Sequence, residues 1–157
     1  TTWHPDGCPS RIPPLVDGAY VVDIGASDDP FYIGMGFHNP ESVAGISVRW
    51  MGANPDTKLH LDLPAGAYTL ELVAQAFMAD NPTEIFLNGQ SLGVYTVPVA
   101  SLASILVELP ADMVGDGQDL TVTFAYTSAQ SPSDLGINGD VRRLALMVDK
   151  IRFVLVP

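Results

Sequence analysis

Residues 67–77, AYTLELVAQAF, set Tyr68, Leu70, Leu72, Ala74 and Ala76 on one side of an extended chain and Thr69, Glu71 and Gln75 on the other. Alternation with a period of two marks a strand with one buried face, because successive side chains of an extended backbone point to opposite sides. Val73 and Phe77 interrupt the polar side, so this strand is expected to touch something on its second face as well. After a polar break at residues 79–82, Ile85 and Leu87 resume the pattern, and Asn88-Gly89 ends it with the strongest hairpin-turn signal in the chain. Strand, loop, strand and tight turn in succession specify an antiparallel sheet against which the other segments must pack.

Those segments repeat the theme. Leu59, Leu61 and Leu63 alternate with Lys58, His60 and Asp62; Ile105, Val107 and Leu109 share a face; Leu120, Val122, Phe124 and Tyr126 alternate with threonines and an alanine. Shorter strands are expected at residues 19–24, at the aromatic, glycine-rich FYIGMGF of residues 31–37, at residues 46–50 and at residues 90–97, with an irregularity at Gly93. Residues 99–102 are long enough for a helical turn but not for a helix. At the C-terminal end Leu144, Leu146 and Val148 precede Asp149-Lys150, and Ile151, Phe153 and Leu155 follow. Nine or ten short strands with a turn signal every eight to twelve residues predict an all-β sandwich or barrel, and the connections are too short for the helical crossovers of a parallel sheet.

Of 157 residues 47% are hydrophobic, and a chain of this length can bury a core without disulfide or metal. Gly and Pro together, 14 and 13, exceed the usual share and suit a turn-rich fold. Residues 1–15, with Pro5, Pro9, Pro13 and Pro14, read as a lead-in to a single β-sandwich domain over residues 16–157. A formal charge of −11 repels a phosphate backbone, which argues against a nucleic-acid partner. Cys8 is the only cysteine, so no intrachain disulfide forms, and its redox partner, if any, is on another chain or a missing segment. Thr1 is not an initiator, so a processed product or an excised piece is expected. Asn81-Pro82-Thr83 carries the proline that disqualifies it as a glycosylation acceptor.

An ordered series of short motifs runs through the chain: Gly36-Phe37, Pro40-Glu41, Arg49-Trp50, the run from Leu59 to Pro64, Asn88-Gly89, Leu109-Pro110, Ser131-Pro132 and Asp140-Val141-Arg142-Arg143-Leu144. The series resembles the jelly-roll accessory domains of bacterial membrane glycosyltransferases and related cell-envelope polysaccharide proteins, domains similar to galactose-binding and carbohydrate-binding modules. It covers about residues 31–155, with Ala145 where that group usually has glycine. The resemblance implies a jelly-roll β-sandwich of two antiparallel sheets on the extracytoplasmic side, periplasmic or extracellular. The catalytic machinery then lies elsewhere in a parent protein with an attached membrane region.

Candidate sites follow from residue chemistry. Arg49 beside Trp50 offers a guanidinium and an aromatic face to a sugar; alternatively Trp50 packs in the core with Ile46 and Val48, and Arg49 fixes the preceding loop through Glu41. Residues 127–140 form a long polar connection without periodicity, a length that often marks function. Within and just after it, Asp134, Asn138, Asp140 and Arg142 can direct hydrogen bonds to a glycan or can bond to their own loop, with Tyr126 and Tyr95 as aromatic companions. Asp23, Asp28 and Asp29 surround a turn and are candidate ligands of a structural calcium ion, with turn capping as the simpler role. His4, His38 and His60 are too scattered for a metal triad, and no G-x-S-x-G elbow, P-loop or dinucleotide fingerprint is present. The chain is therefore expected to be non-catalytic and without a cofactor, either binding or positioning an envelope glycan or serving as a self-associating structural domain of an extracellular polymer.

Overall fold

The structure is a computed structural model and describes residues 10–157; Cys8 and His4 lie outside the described residues. In chain order the strands are β1 (Leu15–Val16), β2 (Ala19–Asp23), β3 (Glu41–Val43), β4 (Ile46–Met51), β5 (Thr57–Leu61), β6 (Tyr68–Ala76), β7 (Asn81–Leu87), β8 (Gln90–Val97), β9 (Ala103–Leu109), β10 (Leu120–Tyr126) and β11 (Leu146–Leu155). One short helix, α1 (Ala111–Val114), and one 3-10 turn, Asp29–Phe31, interrupt them. The expected count is exceeded because β1 and β3, two and three residues long, pair as hairpin arms with β2 and β4.

Among the described residues every strand pairing is antiparallel, and the strands form a jelly-roll sandwich of a seven-stranded and a four-stranded sheet. In the smaller sheet the order is β5-β10-β7-β8. In the larger sheet β11 is the spine. One of its edges pairs with β6 from Leu146 to Leu155, and β6 in turn pairs with β9. Along its other edge, Leu146–Val148 meets β4 and Lys150–Val154 meets β2. The changeover falls at Asp149, where the register with β6 slips and the Asp149 carbonyl accepts the N–H of Ile24 at 3.0 Å. An extra residue of this kind bends a strand and lets it serve two partners in succession.

Alternation places the core. Leu70 and Leu72 stand opposite Phe153 and Ile151, while Ile85 and Leu87 stand opposite Phe124 and Val122; all eight are at most 1% exposed. Burying each such side chain contributes about 1.5–3 kcal/mol, and together they hold the two sheets face to face. At the Asn88-Gly89 turn both residues have positive φ, 50° and 82°, and the Asn88 side-chain oxygen accepts the Thr121 N–H at 2.8 Å. The β7–β8 register shifts beyond Ile85, which stands opposite Gly93, so the expected irregularity is there.

Three expectations need correction. Residues 31–37 do not form a strand. Pro30, lacking an N–H, suits the start of the 3-10 turn, and the chain then runs along the edge of β5, with His60 N–H donating to Tyr32 O, Gly34 N–H to Lys58 O and Lys58 N–H to Met35 O. An added Cβ at Gly36 (φ 99°) would collide with Thr57, so glycine permits this close cover of the sheet edge. Trp50 is not in the core beside Val48: Met51 takes the core position, and Trp50 meets Phe77 edge-to-face at 5.7 Å between ring centres. Phe77 thereby finds the second-face contact its odd placement requires. Residues 99–102 carry no helical turn; the helix lies after Pro110, ending at Gly115. The expected lead-in is partly built into the sandwich, because Arg11 N–H donates to the Asp62 carboxylate at 2.6 Å and Asp62 N–H returns to Arg11 O at 3.1 Å.

Candidate functional site

Connections after β4, after β10 and before β11 meet at one end of the sandwich and enclose an open groove of about 430 Å³, lined by Gly52, Ala53, Asn54, Pro55, Tyr126, Thr127, Ser128, Ala129 and Arg143. Each wall is tied to the frame. Gly52 and Ala53 both donate N–H groups to Gly36 O, at 3.0 and 3.1 Å. The buried amide of Asn81 accepts the Thr127 N–H at 2.8 Å and donates to Ser128 O at 2.9 Å. Gln130 and Leu144 exchange a pair of backbone hydrogen bonds, at 3.0 and 2.9 Å, closing the base of the long loop. Arg143 donates to Ala129 O at 2.6 Å, and its own carbonyl accepts from His38 Nε2 at 2.7 Å.

Tyr126 is 7% exposed, so it is a strut rather than an open stacking platform. Its hydroxyl donates to Asn54 O and lies 3.3 Å from Thr57 Oγ1, pinning the loop after β4 to the end of β10. Burial pushes this phenol above its ordinary value of 10.0, and Asp56 adds to the effect. A raised pKa means that the bond to Asn54 is retained below pH 10 and fades as pH rises through the folded value. Tyr126→Phe is expected to cost about 1–2 kcal/mol in urea unfolding, since the hydroxyl's partners lose their bond. The amides of Ala53 and Asn54 are expected to move in the same variant; an unaltered spectrum there would rule out the strut.

The other residues singled out from sequence fall into separate places. Arg49 is 7% exposed and forms a two-pronged ion pair with Asp29, Nε to Oδ2 at 2.7 Å and an η nitrogen to Oδ1 at 2.9 Å; a third bond at 3.0 Å reaches His38 O. Its partner is Asp29 rather than Glu41, and its guanidinium is held largely inside the fold. Glu41 instead meets Arg142 at 3.2 Å. Asp140 and Arg142 satisfy each other, with bonds from Nε and an η nitrogen and a further bond from the Arg142 N–H at 3.0 Å. Asn138 turns its side-chain oxygen onto the Asp140 N–H at 2.8 Å, and Asp134 is exposed, its N–H facing Ser131 Oγ at 3.5 Å. This loop uses its polar side chains largely to hold its own shape.

Hydrogen bonds from Arg142 bring the Asp140 carboxyl down from 3.8 to about 2. A depressed carboxylate pKa gives a contribution that is complete above pH 3.8 and disappears as pH falls toward 2. Carbon-detected NMR is expected to show Asp140 titrating near pH 2 together with a shift of the Arg142 Nε–H; a midpoint near 3.8 would show that the clamp is open in solution.

The three aspartates considered for calcium do not converge. Asp29 is wholly buried on Arg49 and also accepts the Gly25 N–H at 2.5 Å. Asp23 and Asp28 border a second groove, of about 600 Å³, where β2 gives way to β4, together with Asp149 and Lys150. Burial, helped by Asp23, pushes the Asp149 carboxyl up. Among the described residues no three His, Cys, Asp or Glu side chains are grouped to hold a metal ion. Among them also, no helix is long and apolar enough to cross a membrane.

Sequence reasoning missed Asn54, Asn81, Thr127, Ser128 and Arg143 as groove elements. Arg143 stood within a noted motif, Asn81 within a rejected glycosylation triplet, and Thr127 and Ser128 within the long loop singled out for its length, but no local signal joined them to Asn54, because segments distant in sequence bring them together.

This is the fold of carbohydrate-binding modules. A family 35 carbohydrate-binding module from Clostridium thermocellum superposes with a TM-score of 0.54 at 15% identity, covering 85% of this chain and 97% of that one. The C-terminal CBM6 of LamC, a marine laminarinase from Zobellia galactanivorans, gives 0.50 at 14% identity, covering 87% and 98%. The GH26-CBM35 β-(1,4)-mannanase of Podospora anserina gives 0.53 at 14% identity, covering 90% of this chain but 28% of that protein. At such identities the likeness is one of fold. No protein-family model and no curated protein sequence matches the chain.

Proposed function

We propose that the chain is a non-catalytic glycan-binding or glycan-positioning module whose contact surface is the groove formed by residues 52–55, residues 126–129 and Arg143. The observation that carries this reading is the make-up of the groove: Asn54, Thr127, Ser128 and Arg143 are exposed around a shallow depression whose walls are fixed by Asn81, Tyr126 and paired backbone. Sugars need directed donors and acceptors held in place beforehand, and loops on a rigid sandwich supply them. The shared fold with solved carbohydrate-binding modules supports the same reading.

The ordered motif series supports a place outside the cytoplasmic membrane, as an accessory domain of a membrane glycosyltransferase or polysaccharide protein. Affinity electrophoresis through gels containing envelope polysaccharides tests the binding function. Retardation is expected for the native chain and its loss for Ser128→Trp, which fills the groove from an exposed position. Equal mobility of both proteins in every gel would oppose the proposal.

A further inference from the structure

The groove's charge differs from that of the chain around it. Carboxylates outnumber cations by 18 to 7 in the sequence, and the cations are mostly neutralised within the fold. Arg49 meets Asp29, Arg142 meets Asp140 and Glu41, Arg152 meets Glu71, Lys58 meets Asp56 at 3.9 Å and Lys150 meets Asp149 at 4.0 Å. Arg11 and Arg143 have no carboxylate within ion-pair distance among the described residues. Among the described residues Arg143 is the one charged side chain lining the groove, where the remaining polar side chains are neutral: Asn54, Tyr126, Thr127 and Ser128. One η nitrogen of Arg143 donates to Ala129 O at 2.6 Å, which holds the planar guanidinium in place while leaving other N–H groups free. A guanidinium held in this way is suited to a two-pronged bond with an anion, and charge-assisted bonds are about twice as strong as neutral ones.

The net charge of −11 acts against this at long range, because it repels a polyanion approaching the domain. At physiological ionic strength such repulsion is screened beyond about 8 Å, so a single acidic group docking at contact distance feels chiefly its immediate neighbours. Resting on the glycan-binding reading above, we infer that the groove selects a glycan with an isolated acidic group, a uronate carboxylate or a sulfate ester, within an otherwise neutral chain, and that Arg143 receives this group. Neutral units on either side of it meet Asn54, Thr127 and Ser128.

Calorimetric titration of the full chain with three trisaccharides tests this: one bearing a single glucuronate, its carboxyl-reduced neutral counterpart, and that neutral sugar bearing one sulfate ester. The glucuronate or the sulfated sugar is expected to bind about tenfold more tightly than the neutral one, as one charge-assisted contact implies. Arg143→Gln is expected to abolish the preference and Arg143→Lys to restore part of it. Lys150→Gln, with the same change of net charge but outside the groove, is expected to leave it intact. Binding of all three sugars with equal affinity, or a preference that survives Arg143→Gln, would overturn the inference while leaving glycan binding in place. No binding of acidic or neutral sugar in the groove would overturn both.

Discussion

Arg49→Met is expected to destabilise the fold by about 3–5 kcal/mol, because it leaves the wholly buried carboxylate of Asp29 without its counter-charge. At about 2–4 °C per kcal/mol for a domain of this size, the midpoint of thermal unfolding falls by roughly 6–20 °C. The loss has a specific origin. Asp29 also holds the Gly25 N–H, and Arg49 also holds the His38 carbonyl, so the pair joins the turn after β2, strand β4 and the segment leading to β3. Asp29→Asn in the Arg49→Met background keeps an acceptor for Gly25 while removing the stranded charge, and is expected to recover a large part of the stability. A double-mutant cycle in urea that returned strictly additive effects would show that the two side chains are not coupled.

Phe153→Ala is expected to cost about 3–5 kcal/mol, the range for removing a fully buried aromatic ring. Phe153 stands on the spine strand between Tyr20 of β2 and Leu70 of β6, so the cavity opens where three strands of one sheet meet the opposite sheet. Equilibrium unfolding measures it. Arg152→Ala, one residue earlier on the outer face, removes an ion pair with Glu71 at a partly exposed position and is expected to cost no more than about 1 kcal/mol. If the two variants lost equal stability, the assignment of inner and outer faces of β11 would be wrong.

Much of this architecture was legible because burial imposes a period of two. The alternation in residues 67–77 and 120–126 fixed which face of β6 and β10 points inward, and the structure buries those residues. Even the irregular position in β11 left a trace: Leu146 and Val148 are spaced by two, then Ile151 and Phe153 resume one residue out of phase, with Asp149 as the extra residue. Residues 31–37 were misread because their apolar content reflects contact with the edge of β5, which local pattern cannot separate from a strand of their own. Trp50 was misplaced for a similar reason. Arg49 and Met51 face inward, and a buried arginine reverses the apparent polarity of its strand.

The candidate site was less legible. Arg49 and Asp29 carry charges that sequence reading assigns to a surface, yet they neutralise each other inside. Asp140 and Arg142 were placed in the right loop, but their mutual bonds could not be separated from bonds to a ligand without coordinates. Tyr126 was identified by its position at a strand end, and the structure makes it a buried wall of the groove. Asn81, which holds two residues of the opposite wall through its side chain, is indistinguishable in sequence from any other asparagine before proline.

The most direct measurement is an amide chemical-shift map of the isotopically labelled chain titrated to millimolar concentration with envelope oligosaccharides, acidic and neutral. Shifts confined to residues 53–54, 127–129 and 143 are the expected result. A map in which those amides stay fixed while others move, or in which nothing moves with any sugar, would contradict the assignment of the groove as the glycan contact surface.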